Sequence, residues 1–242
     1  MKFVIVGATG IVGQEMIKCL ADRKVPVEKL RLAASSRSAG KVMSTPFGDI
    51  AVEEISEDIF KDSDIALFAA SGDIAKVWAP VAAKNSCVVI DNSSAFRYEE
   101  NVPLVIPEIN PQEIENHKNI IANPNCTTAI AAIPLWEIKK KYGLKKVFIS
   151  TYQAVSGAGK EAMEELEKQV RDYCGGKELE VKNFQHQILF NLIPHIDKFQ
   201  DNGYTKEEMK VVWEMRKIFG LPELAVSCTA VRVPVMRAHS ET

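Results

Sequence analysis

Residues 2–13 read KFVIVGATGIVG, and the reading of this stretch decides the fold. KFVIV is a short, mostly apolar run of the kind that forms a strand buried on both faces. Gly7-Ala8-Thr9-Gly10-Ile11-Val12-Gly13 follows at once, and Met16, Ile17 and Leu20 then recur at helical spacing. A strand, a glycine turn and a helix are the context a dinucleotide fingerprint requires. The spacing is G-x-x-G-x-x-G rather than G-x-G-x-x-G. Each glycine has a use: Gly7 for the tight turn, Gly10 for backbone approach to a pyrophosphate, Gly13 for helix-on-strand packing. The competing reading is a plain strand-to-helix turn. Context favours a cofactor loop at residues 7–13.

The chain continues as alternating strands and helices. Residues 30–34 (LRLAA) form a second strand that ends in Ser35-Ser36-Arg37. An NAD protein would usually place Asp or Glu here for the ribose 2′-hydroxyl. Hydroxyls and an arginine suit a 2′-phosphate instead, which predicts NADP, although Arg37 also reads as a solvated loop charge. Residues 64–70 (DIALFAA) give a third strand, followed by Ser71 and a helix over 74–83 with Ile74, Val77, Trp78 and Val81 on one face. Residues 87–90 (CVVI) lead to Asp91-Asn92-Ser93-Ser94-Ala95-Phe96-Arg97. Loops after the carboxyl ends of parallel strands hold ligands, so Asn92 and Ser93 are candidate cofactor contacts and Arg97 a candidate anion contact. Asn92 and Ser93 serve equally well as turn formers. Residues 102–106 and 119–122 supply the last strands. The pattern predicts a Rossmann-type doubly wound parallel sheet followed by an α+β region.

Residues 123–128 read NPNCTT, and helix-compatible spacing follows, so Cys126 falls in the first turn of a helix. The helix macrodipole and the unpaired N–H groups there favour a thiolate, the reactive form. The other reading is a small buried apolar residue. Residues 147–155 (VFISTYQAV) form a long strand, and Ser156-Gly157-Ala158-Gly159 turns the chain into a helix with Met163, Leu166, Val170 and Tyr173 on one face. Thr205 and Glu208 match a capping box. Glu207 and Lys210 share a face of that helix, which alone reads as a surface ion pair. Residues 224–235 form another strand, with Arg232 on the face of Val226, Cys228 and Ala230. A charge on so apolar a face needs a partner, either an anionic ligand or an acidic side chain. His239 carries the residue type most used as a general base near neutral pH, against the plainer reading of a surface or packing residue. His117 reads as surface; His186 and His195 stay open.

Bulk properties narrow the class. The chain has 242 residues, 46% hydrophobic and 26% charged, with a formal net charge of -2. That charge gives no case for nucleic acid or an anionic membrane. Five cysteines lack metal-type spacing, which argues against a disulfide framework or zinc site and fits a reducing cytoplasm. No secretory segment and no membrane-length apolar run is evident.

Taken together, GATGIVG, SSRSAG, DNSSAFR, NPNCTT, TYQAVSGAGK, the Glu207/Lys210 pair, VRVPV and AHSE occur in one order across the whole chain. In that order the chain resembles the aspartate-β-semialdehyde dehydrogenase family. The resemblance implies an NADP-binding domain at 1–127 and a substrate-binding and dimerisation α+β domain at 128–242. Cys126 then matches the nucleophile, His239 the acid/base, and Gln153 the residue that orients the acyl intermediate. Arg232 and Glu207 match the groups that hold the substrate carboxylate and amine, and Arg97 and Lys210 the phosphate-binding pair. Asn125 falls in the substrate-binding motif, and Ser156 and Gly157 join the cofactor set. The implied reaction is NADPH-dependent reductive dephosphorylation of L-aspartyl-4-phosphate to the semialdehyde, in lysine (through diaminopimelate), threonine and methionine biosynthesis. No metal is implied. Members of that family continue past the histidine motif, so the resemblance further implies a second domain incomplete at its C-terminus, and a homodimer in the full-length form. N-acetyl-glutamyl-phosphate reductases have similar chemistry, but the residues around Cys126 and the Glu207/Lys210 pair fit the aspartyl enzyme better. Glyceraldehyde-type dehydrogenases share only the Cys-Thr-Thr turn, and a non-catalytic nucleotide-binding homologue is the remaining alternative.

Overall fold

The apolar N-terminal run becomes strand β1 (Lys2–Val6), with all but its first residue buried. A strand with two apolar faces belongs inside a sheet covered on both sides, and β1 lies mid-sheet. The computed structural model describes residues 1–242, in which contacts define two units, Met1–Pro124 and Asn125–Thr242. The family resemblance implies a boundary at 127/128. In the structure the division falls where Asn125 turns the chain into a helix.

In the first unit the order is β1, α1 (Ile11–Asp22), β2 (Lys29–Ala34), β3 (Val42–Thr45), β4 (Gly48–Glu54), α2 (Asp58–Lys61), β5 (Ile65–Phe68), α3 (Gly72–Lys84), β6 (Val88–Asp91) and β7 (Ile120–Ala122). The sheet runs β3-β4-β2-β1-β5-β6-β7, and every pairing is parallel except β3 with β4. Ile17 and Leu20 of α1 pack with Phe3, Ile5 and Leu32 on one face. Ala75, Ala79 and Ala82 of α3 pack with Val4, Val6, Phe68 and Val89 on the other. This is the expected doubly wound sheet. Three details differ from the sequence reading. The β3–β4 hairpin is absent from the sequence reading, because its strands are largely exposed and carry only the short apolar run Ile50-Ala51-Val52. The run 102–106 pairs only through an isolated bridge, Leu104 with Ala122. On α3, Trp78 and Val81 pack against the core as expected, but the fully buried positions are Ala75, Ala79 and Ala82, while Ile74 and Val77 are exposed: small residues allow the helix close to the sheet.

The second unit begins with α4 (Cys126–Tyr142), followed by β8 (Lys146–Gln153), a 3₁₀ turn (Val155–Ala158), α5 (Lys160–Cys174), α6 (Lys206–Phe219), β9 (Ala225–Arg232) and β10 (Ser240–Glu241). Its sheet runs β10-β8-β9, with β8 and β9 parallel and β10 antiparallel to β8. Burial along β8 alternates strictly, which places Val147, Ile149, Thr151 and Gln153 inward and Phe148 and Tyr152 outward. α6 is fixed by the expected capping box: Glu208 N donates to Thr205 Oγ1 and Thr205 N to Glu208 Oε2. On α5 only Leu166 of the four expected positions is fully buried, with Met163 packed beside it. Val170 and Tyr173 are exposed because Glu165 and Gln169 occupy the inner face, bonded to the loop at Asn183 and Leu189.

Candidate active site

The first unit gathers one set of candidates along the carboxyl ends of its parallel strands. Gly7 adopts φ 84°, and a Cβ there would stand 2.6 Å from the Ala69 carbonyl oxygen, so only glycine fits. A Cβ on Gly13 would come within 2.4 Å of the Gly7 carbonyl oxygen, so helix and turn touch backbone to backbone. Gly10 caps α1 in an extended conformation, and no side chain takes up the first-turn N–H groups. Uncapped N–H groups at the positive end of a helix suit a pyrophosphate. Gly7 N donates to the Ala33 carbonyl at 2.8 Å, which ties this turn to the end of β2, where Ser35, Ser36 and Arg37 are exposed. Ser71 caps α3 after β5. Asn92 N donates to the Phe68 carbonyl, so Asn92 and Ser93 follow on the adjacent strand end. The Ser93 backbone N–H and hydroxyl both donate to buried Asp91, whose carboxyl is raised by burial against those two bonds and Arg97. Ser93 therefore also has the structural role of closing that turn. Arg97 is buried, and its Nη2 donates to the Asn92 carbonyl at 2.9 Å.

The second unit gathers the reactive set. Asn125 caps α4, its side-chain oxygen accepting from the N–H groups of Thr127 at 2.9 Å and Thr128 at 3.4 Å. Cys126 is therefore the first residue of α4, as expected from its sequence setting, and it is exposed. Glu207 receives hydrogen bonds from Asn125 Nδ2 (2.9 Å), Gln153 Nε2 (3.2 Å) and Lys210 Nζ (2.8 Å). The Glu207–Lys210 pair is no surface ion pair: the two side chains are 8% and 14% exposed. Burial alone would raise the Glu207 carboxyl, but the Lys210 charge and these hydrogen bonds hold it below the usual range. Burial alone would lower the Lys210 ammonium, and Glu207 with Asp197 lifts it above its ordinary value.

Arg232 ends β9 on the buried face, as expected, in line with Cys228 and Ala230. Its Nη1 donates to the Ala154 carbonyl at 2.7 Å, and no carboxylate forms an ion pair with it. Burial lowers it, while Glu207 and Cys126 pull it back. The imidazole of His239 is held by the same short segment, its Nδ1 accepting from Ala154 N at 3.0 Å. With Nδ1 an acceptor, the neutral ring carries its proton on Nε2. Burial, then Arg232, hold His239 below its ordinary value against Glu207, which keeps the ring neutral at pH 7. A Cβ on Gly157 would lie 3.0 Å from Arg232 Nη1 and 3.2 Å from His239 Nε2. The guanidinium and the imidazole edge thus converge on the glycine of the turn that also holds Ser156. The cluster unites a thiol at a helix start, a neutral imidazole, a buried unpaired cation and a buried carboxylate–ammonium pair. Such a set suits attack on an acyl group of an anionic substrate.

Two functional-looking groups escaped the sequence reading. Glu214 of α6 is fully buried and accepts from Asn125 N at 2.6 Å. Glu241 lies inside the β10 edge with neither oxygen hydrogen-bonded, and burial pushes it up to about 7. Seven-residue spacing from Glu207 along the apolar stripe of α6 was the available signal for Glu214. Residues 2–117 match a family model described as semialdehyde dehydrogenase, NAD binding domain, and residues 135–242 match one described as semialdehyde dehydrogenase, dimerisation domain. An aspartate-semialdehyde dehydrogenase of Shewanella violacea is 49% identical over 98% of this chain and 71% of its own length. The chain belongs to the aspartate-semialdehyde dehydrogenase family. Among solved structures, the Vibrio cholerae aspartate semialdehyde dehydrogenase II complexed with ASA is 46% identical, with a TM-score of 0.97 over 99% of this chain and 72% of that one. The Candida albicans enzyme with NADP is 28% identical, with a TM-score of 0.74 over 99% and 69%. No helix is long and apolar enough to cross a membrane.

Proposed function

We propose that this chain catalyses the NADPH-dependent reductive dephosphorylation of L-aspartyl-4-phosphate to L-aspartate-4-semialdehyde, with Cys126 as nucleophile, as part of lysine, threonine and methionine biosynthesis. The observation that carries the reading is Arg232: a buried guanidinium without a carboxylate partner, converging with the His239 imidazole on Gly157. A buried charge needs an opposite charge, and the substrate carboxylate supplies it. Glu207 takes the substrate amine, and Lys210 with Arg97 the phosphoryl group. The Cys126 thiolate forms the C–S bond as phosphate leaves with its bonding pair. Gln153, anchored to Glu207 through Nε2, orients the resulting thioester. Bound NADPH supplies the hydride. The oxygen that gains charge on reduction accepts from the His239 Nε2–H, and its collapse to the aldehyde releases the thiolate. The departing phosphate takes up one proton from solvent to leave as hydrogen phosphate, so the reduction consumes one proton overall, while the neutral imidazole donates a hydrogen bond and keeps its Nε2 proton.

Residues 7–13 with Ser71, Asn92, Ser93, Ser156 and Gly157 contribute to the cofactor site, and Ser35, Ser36 and Arg37 favour NADP over NAD. The uncapped α1 start supports dinucleotide binding, and the exposed Arg37 supports the choice of NADP. Self-association as a homodimer is supported by the outward face of β8, where Phe148 is 76% and Tyr152 43% exposed. Cytoplasmic placement follows from the biosynthetic role. The reading is tested by incubating the protein with L-aspartate-4-semialdehyde and NADP in the absence of phosphate, then digesting it. An aspartyl adduct on the peptide that contains Cys126 is expected; an unmodified Cys126 alongside NADPH formation would refute it.

A further inference from the structure

Asn125 is gripped twice by one helix. Its side-chain amide donates to Glu207 Oε1 at 2.9 Å, and its backbone N–H donates to Glu214 Oε2 at 2.6 Å. Glu207 and Glu214 stand two turns apart on α6 and face the same way, which the seven-residue spacing requires. Glu214 has no exposure at all, and Asn125 is itself buried. The remaining polar capacity of Asn125 caps α4, through the N–H groups of Thr127 and Thr128. Four hydrogen bonds at the entry to α4 therefore meet at Asn125, and Cys126 is the next residue.

We infer that Glu214 is a positioning residue for the Cys126 thiol. It acts through the Asn125 backbone N–H and never touches substrate. α6 thus carries the proposed substrate contacts, Glu207 and Lys210, and also fixes the direction of the nucleophile. The function of Cys126 as nucleophile rests on the reading above. The placement of its sulfur by Glu214 does not, because any reagent that needs the thiolate reports on it.

Two substitutions separate the hydrogen bond from the charge. Glu214→Gln keeps a carbonyl oxygen at the right reach and removes the charge. Glu214→Asp keeps the charge and withdraws the acceptor by one methylene. The assay is the rate of iodoacetamide alkylation at Cys126 against pH, resolved from exposed Cys19 and Cys174 by peptide mass spectrometry, with kcat and KM measured alongside. The expected result is alkylation and kcat about tenfold lower in the Asp variant, with KM within about twofold, since thiolate stabilisation and sub-ångström alignment are both lost. The Gln variant should stay within about threefold of the parent, as an acceptor of the same length keeps the bond. Equal loss in both, loss in Gln alone, or no loss in either would overturn the inference. If the Asp variant does not fold, amide exchange at Asn125 decides between them. Strong protection in both the parent and Gln proteins supports the bond, and free exchange in either removes it. Undiminished turnover after full alkylation of Cys126 would instead sink its assignment as nucleophile.

Discussion

Gly157→Ala should leave the protein standing and cripple it. The added Cβ would stand 3.0 Å from Arg232 Nη1 and 3.2 Å from His239 Cε1 and Nε2. Ordinary non-bonded contact begins at about 3.5 Å, so the two groups must retreat by a few tenths of an ångström. Neither retreat is easy: Arg232 is bonded to the Ala154 carbonyl and His239 to the Ala154 N–H. A misplacement of about 1 Å can cost on the order of 100-fold, so a few tenths should cost about tenfold in kcat/KM, or about 1.4 kcal/mol of transition-state stabilisation. Stability runs the other way. Gly157 is exposed and outside the positive-φ region, so alanine there gains about 0.4–1 kcal/mol from the unfolded chain, which local crowding offsets in part. The assay pairs phosphate-dependent NADP reduction with thermal unfolding of the same samples. A tenfold loss of turnover at unchanged Tm is expected. Unchanged turnover would refute the convergence of Arg232 and His239 on this turn, and a large fall in Tm would mean that the turn serves packing rather than chemistry.

Other outcomes follow from the same geometry. Arg37→Asp replaces the one exposed cation beside Ser35 and Ser36, so KM for NADP should rise by about tenfold or more while that for NAD falls, since an acidic residue suits a free 2′-hydroxyl; steady-state kinetics with both cofactors check it. Burial raises Glu241 to about 7 from 4.5, so the folded protein holds this proton more tightly than the unfolded chain does. Its stabilising contribution is therefore present at low pH and fades as pH rises between those values. In Glu241→Gln the slope of Tm between about pH 5 and pH 8 should be less negative than in the parent, as that single titration is removed. An identical slope in both proteins would show that Glu241 titrates normally.

Part of this structure was open to reading from sequence because the relevant signals are local. The run 2–13 places strand, turn and helix within one short segment, and each glycine has a steric reason that a sequence displays. Arg232 was conspicuous for the same reason, being a charge at the apolar period of a strand. The β3–β4 hairpin was invisible because an exposed edge needs no apolar pattern. The α3 face is only half legible: Trp78 and Val81 pack inward, but alanines rather than the larger Ile74 and Val77 make the closest contact with the sheet. Glu207 and Lys210 look like any helix-surface pair until burial is known, and burial comes from strands and turns distant in sequence. Glu214 illustrates the limit most clearly: its spacing from Glu207 marks a shared helix face, but its partner is a backbone N–H almost ninety residues away, and no local pattern records that partner.

The central claim is that Cys126 carries the acyl group in a phosphate-dependent oxidoreduction of aspartate semialdehyde. The most direct measurement is NADP reduction with L-aspartate-4-semialdehyde, with and without inorganic phosphate, in this chain and in Cys126→Ala. The account predicts sustained turnover only with phosphate present and only with the cysteine in place. Equal rates in the two proteins, or turnover indifferent to phosphate, would contradict it.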